Sequence, residues 1–162
     1  MADDLVERER RTRQFEHYLG LMEHRTLRLV KSACFLVFSV PAAPAIRPRL
    51  GGSDTRFVQF AFSQSGLYLD LPDTTLTPGE AKRAVAERPG FGYALDKPEK
   101  RPAERQFDPV QRQYTYADKR AAAEDAAYVF FDLWQVPLYE WIKVEASTFE
   151  GPKQWERDFS MG

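Results

Sequence analysis

Apolar and polar residues alternate along Arg56 to Phe62, with Val58, Phe60 and Phe62 on one face of an extended chain and Phe57, Gln59 and Ala61 on the other. In the next run Leu67, Leu69 and Leu71 share a face opposite Tyr68 and Asp70. Both patterns predict strands. Between them Ser63-Gln64-Ser65-Gly66 is polar and ends in the residue that tolerates positive φ, which predicts a β-hairpin. Thr77-Pro78-Gly79-Glu80 then places a hydroxyl at a helix N-cap, proline at the first helical position and a carboxylate at the third, the pattern of a capping box. A short helix is predicted from Pro78 to about Arg88, stopped by Pro89-Gly90.

Elsewhere the spacing changes from two to nearly four. Phe15, Tyr18, Leu19, Met22, Leu29 and Val30 recur at helical intervals and predict a long amphipathic helix from Arg13 to Val30. Ala33 to Val40 is apolar on both faces and reads as a central strand, and the prolines and Gly-Gly pair of Pro41 to Asp54 read as a loop. In Gln111 to Ala117, Arg112, Tyr114 and Tyr116 alternate with Gln111, Gln113 and Thr115, as in a strand with one polar face. Asp118 is placed to cap a helix whose Ala122, Ala126, Val129, Phe130, Leu133 and Trp134 form a wide apolar stripe. A last strand is predicted over Leu138 to Ala146, with Leu138, Ile142 and Val144 opposite Tyr139 and Trp141.

These elements define an α+β class: an antiparallel sheet of about five strands packed against a long N-terminal helix, a short middle helix and a C-terminal helix. One domain over residues 1–162 is expected, with its core over about 13–146. A mobile charged loop is expected at about 93–109 and a polar tail at 147–162.

A chain of 162 residues buries roughly 70% of its unfolded surface. With 43% hydrophobic residues it needs neither disulfide nor metal to fold. A net charge of −1 supplies no field for a polyanion, so nucleic acid is not an expected partner. The longest apolar run is far shorter than the ~18 residues of a membrane span, and the first residues carry no apolar leader. Together with the single Cys34, which has no disulfide partner, these features predict a cytoplasmic protein.

Candidate chemistry is sparse. His17 and His24 stand on similar faces of the first helix but about 10 Å apart along it, too far to share a metal. Cys34 lies in an apolar run and reads as a packed thiol, and Asp70 and Asp73 flank a turn that uses aspartate for its own geometry. Arg8, Arg10, Arg11 and Arg13, and later Lys97, Lys100, Arg101 and Arg105, are diluted by neighbouring acids and read as solvated charge. No catalytic residue, metal ligand or cofactor is therefore expected. Tyr68, Tyr114, Tyr116, Tyr139 and Trp141 fall opposite the more aliphatic faces of their strands and are the candidate partner-binding residues.

The element order also resembles the type III secretion chaperone-like fold. More narrowly, Arg56-Phe57-Val58-Gln59-Phe60, Leu67-Tyr68-Leu69-Asp70-Leu71, Leu76-Thr77-Pro78, Gly90-Phe91 and the Ala121-Ala122-Ala123 helix look like the YbjN or TY-Chap branch of it, over roughly residues 13–146. The resemblance implies a bacterial, non-catalytic, chaperone-like or adaptor protein that binds a protein or peptide partner and can pair as a homodimer. The charged run from Tyr93 to Pro109 departs from that pattern. An immunity protein that neutralises a toxin by direct binding is the alternative within the binding class; a small hydrolase or transferase is the alternative outside it.

Overall fold

The computed structural model describes residues 2–30, 34–94 and 109–148. Helix α1 (Ala2–His24) starts before the predicted Arg13 and ends in a π-helical turn, Arg25–Val30. The earlier start has a simple cause: Glu7, Arg11 and Thr12 continue the buried stripe of Phe15, Leu19 and Met22 at helical spacing, although their own side chains are polar. Strand β1 (Cys34–Pro41) follows, then the proline-rich connection with its single 3₁₀ turn, Arg47–Leu50. The predicted hairpin is β2 (Thr55–Phe62) and β3 (Leu67–Leu71), in register from Gln59 opposite Asp70 to Phe62 opposite Leu67. A Cβ at Gly66 would collide with the Tyr114 carbonyl oxygen, so glycine is needed there for close approach as well as for the turn.

Helix α2 (Pro78–Glu87) carries the predicted capping box in full: the Glu80 N–H donates to the Thr77 hydroxyl at 3.2 Å and the Thr77 N–H donates to the Glu80 carboxylate at 3.0 Å. Just before it, Thr75 behaves as a surrogate strand residue, its hydroxyl accepting from the Phe57 N–H and donating to the Phe57 carbonyl. Then come β4 (Gly92–Tyr93), β5 (Val110–Tyr114), a 3₁₀ turn (Tyr116–Asp118) and α3 (Lys119–Ala127), which continues as a π-helical segment over Tyr128–Leu133. Strand β6 (Lys143–Thr148) closes the described chain.

All pairings are antiparallel, in the order β4-β5-β3-β2-β1-β6. The sheet has six strands, one more than expected, because Gly92 and Tyr93 pair with Gln111 and Val110 at the mouth of the charged excursion. Residues 95–108 of that excursion, and 149–162 of the tail, lie outside the described residues.

Three further expectations are corrected. The strand predicted to run to Ala117 stops at Tyr114, where the 3₁₀ turn begins. Asp118 does not cap α3 through its side chain; its carboxylate accepts from the Thr115 hydroxyl at 3.2 Å. The last strand starts at Lys143 because a turn closed by the Glu140 N–H on the Pro137 carbonyl (3.0 Å) claims Leu138 and Tyr139.

The helices cover one face of the sheet. On that face Leu36, Phe38, Val58, Phe60, Leu69 and Leu71 are wholly buried. Phe15 of α1 stacks on Phe130 (5.7 Å between ring centres) and meets Phe38 of β1 edge-on (4.9 Å); Phe38 in turn meets Phe60 of β2 (6.3 Å). These rings join the helical layer to the sheet. Phe60→Ala and Phe130→Ala should each cost about 3–5 kcal/mol, read from the denaturant midpoint, since both rings are fully buried and the core is closely packed around them. Cys34 is also fully buried, so native protein should react with a thiol reagent only at the rate at which it opens.

Candidate partner-binding surface

Two places stand out among the described residues. The first is Asp125, fully buried in the stripe that Ala122 and Val129 also occupy on α3. Arg88, at the end of α2, donates to Oδ1 through Nε (2.9 Å) and Nη2 (2.5 Å). Arg112 of β5 donates to Oδ2 at 2.7 Å, and the Tyr114 hydroxyl donates to the same oxygen at 2.5 Å. Each guanidinium lies over an aromatic ring, Arg88 over Tyr128 at 5.2 Å and Arg112 over Tyr114 at 5.0 Å. Gly90, at φ 130°, leaves room for this: a Cβ there would meet the Arg112 guanidinium at 2.5 Å.

Burial, reinforced by the Asp125 charge, drives the Tyr114 hydroxyl far above its ordinary ionisation range. Burial and the Glu87 carboxylate also raise Tyr128. A carboxylate that accepts four charge-assisted or phenolic bonds has no acceptor left for a substrate proton, so the cluster works as a brace between α2, β5 and α3.

The second place is the surface around the first turns of α1. Arg8 forks onto Asp132 at 2.6 and 2.8 Å, Arg120 of α3 forks onto Glu9 at 3.0 and 2.6 Å, and the buried Arg11 donates to the Glu140 carbonyl at 2.9 Å. Together these bonds hold the first turns of α1 against α3, the π-helical segment that continues it and the turn beyond. There the chain reverses through Gln135, a non-glycine residue held left-handed at φ 55°, and Val136 donates its N–H back to the Phe130 carbonyl at 2.8 Å. Leu5 and Arg8 on one side, and Phe131, Val136 and Leu138 on the other, line a largely apolar groove of about 620 Å³. Leu5 of this groove is 73% exposed, and close to its residues in the chain Val6 is 70% exposed, Tyr139 70% and Trp141 59%. The chain then enters β6, which among the described residues pairs only with β1, so its outer edge presents backbone donors and acceptors.

The five aromatic residues expected to form one sheet surface are therefore separated. Tyr139 and Trp141 are exposed in the segment ahead of β6. Tyr68 is exposed on the face of the sheet away from the helices, beside Gln113. Tyr116 is half-buried in the 3₁₀ turn, its hydroxyl donating to the Ser63 carbonyl, and burial pushes its ionisation up to about 12. Tyr114 is a correction: it is buried on the helix face, because Val110, Arg112 and Tyr114 stand opposite Leu71, Leu69 and Leu67.

The remaining candidates take structural roles. Asp70 accepts from the Gln111 side chain at 2.9 Å across the sheet, and Asp73 sits in the turn closed by the Thr75 N–H on the Pro72 carbonyl. Among the described residues no group of three His, Cys, Asp or Glu side chains is arranged to hold a metal, and no helix is long and apolar enough to cross a membrane. Lys97, Lys100, Arg101 and Arg105 lie outside the described residues.

Asp125, Arg88, Leu5 and Val6 were not singled out from sequence. Asp125 left a readable signal, a carboxylate at helical spacing from Ala122 and Val129 inside an apolar stripe. Leu5 and Val6, embedded in DDLVERERR, left none beyond two apolar residues in a charged run. No family model, curated protein or solved structure matches this chain.

Asp125→Ala should destabilise by about 1–3 kcal/mol, because it takes the shared acceptor from two partly exposed guanidiniums and the buried Tyr114 hydroxyl. Tyr114→Phe should cost about 1–3 kcal/mol by leaving an acceptor short of a donor. An unfolded tyrosine ionises near pH ~10, whereas folded Tyr114 resists ionisation well beyond it. Its stabilisation is thus complete below that pH and is lost as pH climbs above it. Denaturation midpoints measured on rising pH should fall less steeply for Tyr114→Phe than for the parent.

Proposed function

We propose that this protein is a non-catalytic polypeptide-binding module of the chaperone or adaptor kind, and that its contact surface is the apolar end of the molecule formed by α1, Leu138, Tyr139 and Trp141. One observation carries the reading: Leu5 of an apolar groove and, close to the groove's residues in the chain, Val6, Tyr139 and Trp141 are well exposed, while the other large apolar side chains among the described residues, Tyr68 and Tyr93 excepted, are buried or partly buried. An extended partner segment would pair its backbone with the outer edge of β6, pass Trp141 and Tyr139, and place an apolar side chain in the groove.

The polar features support the same reading. The buried carboxylate is saturated with donors, and the arginines along the first turns of α1 are engaged by acids of this chain, as in Arg8 with Asp132 and Arg10 with Glu7. A toxin-blocking surface that works by fixed charge complementarity would keep such groups for its partner. The resemblance to the YbjN or TY-Chap chaperones agrees with a binding role, and the lone buried thiol agrees with a reducing, cytoplasmic setting.

The test is recovery of a polypeptide partner from the native host, followed by affinity measurements. Trp141→Ser, Tyr139→Ser and Leu5→Ser should each weaken binding by roughly tenfold or more with unchanged melting temperature, as hot-spot residues do. Tyr68→Ala and Tyr116→Ala should bind like the parent. If the three surface variants bind undiminished while Tyr68→Ala fails, the open face of the sheet is the interface. Turnover of a small molecule with no polypeptide partner would sink the binding class.

A further inference from the structure

Around the first turns of α1 the surface charges pair off: Glu7 with Arg10, Glu9 with Arg13 and Arg120, and Asp132 with Arg8. Arg11 differs from these arginines. It is wholly buried, its Nη2 donates to the Glu140 carbonyl at 2.9 Å, and its Nε and Nη1 have no acceptor among the described residues. Burial and the Arg10 charge hold its ionisation below the ordinary arginine value, and the charges of Glu7 and Glu140 offset this only in part. A buried guanidinium short of acceptors works against stability. Trp134 repeats the pattern nearby in the chain, its indole Nε1 buried without an acceptor. Between Trp134 and β6, residues 135–142 belong to no helix or strand and run from the left-handed Gln135 to the buried Ile142. This segment borders two cavities: the groove already described, and a cleft of about 420 Å³ lined by Val40, Ile46, Val136, Pro137 and Glu140 among others.

We infer that Arg11 is held for the partner: residues 135–142 lift from α1, and an aspartate or glutamate side chain of the bound segment, next to the apolar side chain that fills the groove, takes the Nε and Nη1 donors. The inference rests on the polypeptide-binding reading and adds the chemistry of the partner. Arg11 stands one helical turn, about 5 Å, beyond Arg8, which lines the groove, so nearby side chains of one extended segment span the two positions. A carboxylate suits the place better than a neutral acceptor, because it answers the charge as well as the donors. Tyr139 and Trp141 ride on the same segment, so the partner that grips them is also what lifts it.

Two fluorescein-labelled peptides test this, both amidated at the C-terminus and alternating leucine with serine, with one central serine replaced by glutamate in the first and by glutamine in the second. Fluorescence anisotropy with the full chain should show the glutamate peptide binding tighter by about tenfold or more, and the gap should hold at about 0.15 M salt because a buried pair is screened little. Arg11→Met should remove the preference with an equal or higher melting temperature, since it replaces a buried, under-bonded cation with an apolar chain. Arg11→Lys, which keeps the charge without the planar set of donors, should retain part of the preference.

A merely structural Arg11 gives the opposite pattern. An Arg11→Met protein that melts lower, or that still prefers the glutamate peptide, overturns the inference. So do equal affinity for the two peptides and a glutamate peptide that does not bind. A glutamine peptide with a free C-terminal carboxylate that binds as tightly as the amidated glutamate peptide would make a chain end the ligand, and this too overturns the inference. In each case the polypeptide-binding reading is decided separately by the host partner and its response to Trp141→Ser.

Discussion

A carboxylate buried among alanines would be ruinous unless it were fully paired, and Asp125 is paired from three directions at once. That requirement ties elements which share little else. Arg88 must sit at the end of α2, Arg112 and Tyr114 must alternate on the helix face of β5, and Gly90 must lack a side chain so that Arg112 can reach. The constraint also explains why a strand next to the edge of the sheet carries arginine on its core face. Arg112 stands opposite Leu69, where an aliphatic residue would serve packing as well but would leave Asp125 short of a donor.

On the other side of α3 the ties are ion pairs at the surface. Arg8 with Asp132 and Arg120 with Glu9 are partly exposed, and each contributes little alone. Their effect is positional. With α1 already anchored by Phe15 on Phe130 and Phe38, they fix the slope of its first turns, so that Leu5 and Arg8 face Phe131, Val136 and Leu138 across an open groove. The left-handed Gln135 reverses the chain there, and the residues that follow leave Tyr139 and Trp141 exposed ahead of β6.

How far the sequence can be read follows from these two kinds of contact. Phe60, Leu69 and Thr77 were legible because local period and capping chemistry specify them, and the α+β class with an antiparallel sheet follows from such elements. Tyr114 was misplaced because the alternation of Gln111, Gln113 and Thr115 against Arg112 and Tyr114 marks two faces without saying which one meets the helices. Only the donors required by Asp125, from another element, decide that. Trp141 was assigned to a strand because Leu138 to Val144 does alternate; the turn closed by Glu140 on Pro137 overrides that pattern. The start of α1 was lost to its charge, since Arg11 and Glu7 occupy core-facing positions with polar side chains.

The split between the two sites separates what keeps the chain folded from what its surface offers. The brace at Asp125 lies toward the β5 end of the sheet, and the exposed apolar surface lies at the entrance to β6 on the opposite edge. An edge that has no partner among the described residues, close in the chain to exposed aromatic rings, invites indiscriminate pairing. Along β6, however, the outward residues Lys143 and Glu145 are charged and joined to each other at 3.2 Å, while the inward Val144 and Ala146 are buried. On the proposed binding role, charge on the edge strand would make an all-apolar strand a poor match, whereas a segment with its own polar positions could pair its backbone and still fill the groove. The same alternation that packs β6 onto the core would thus filter what can be added to it.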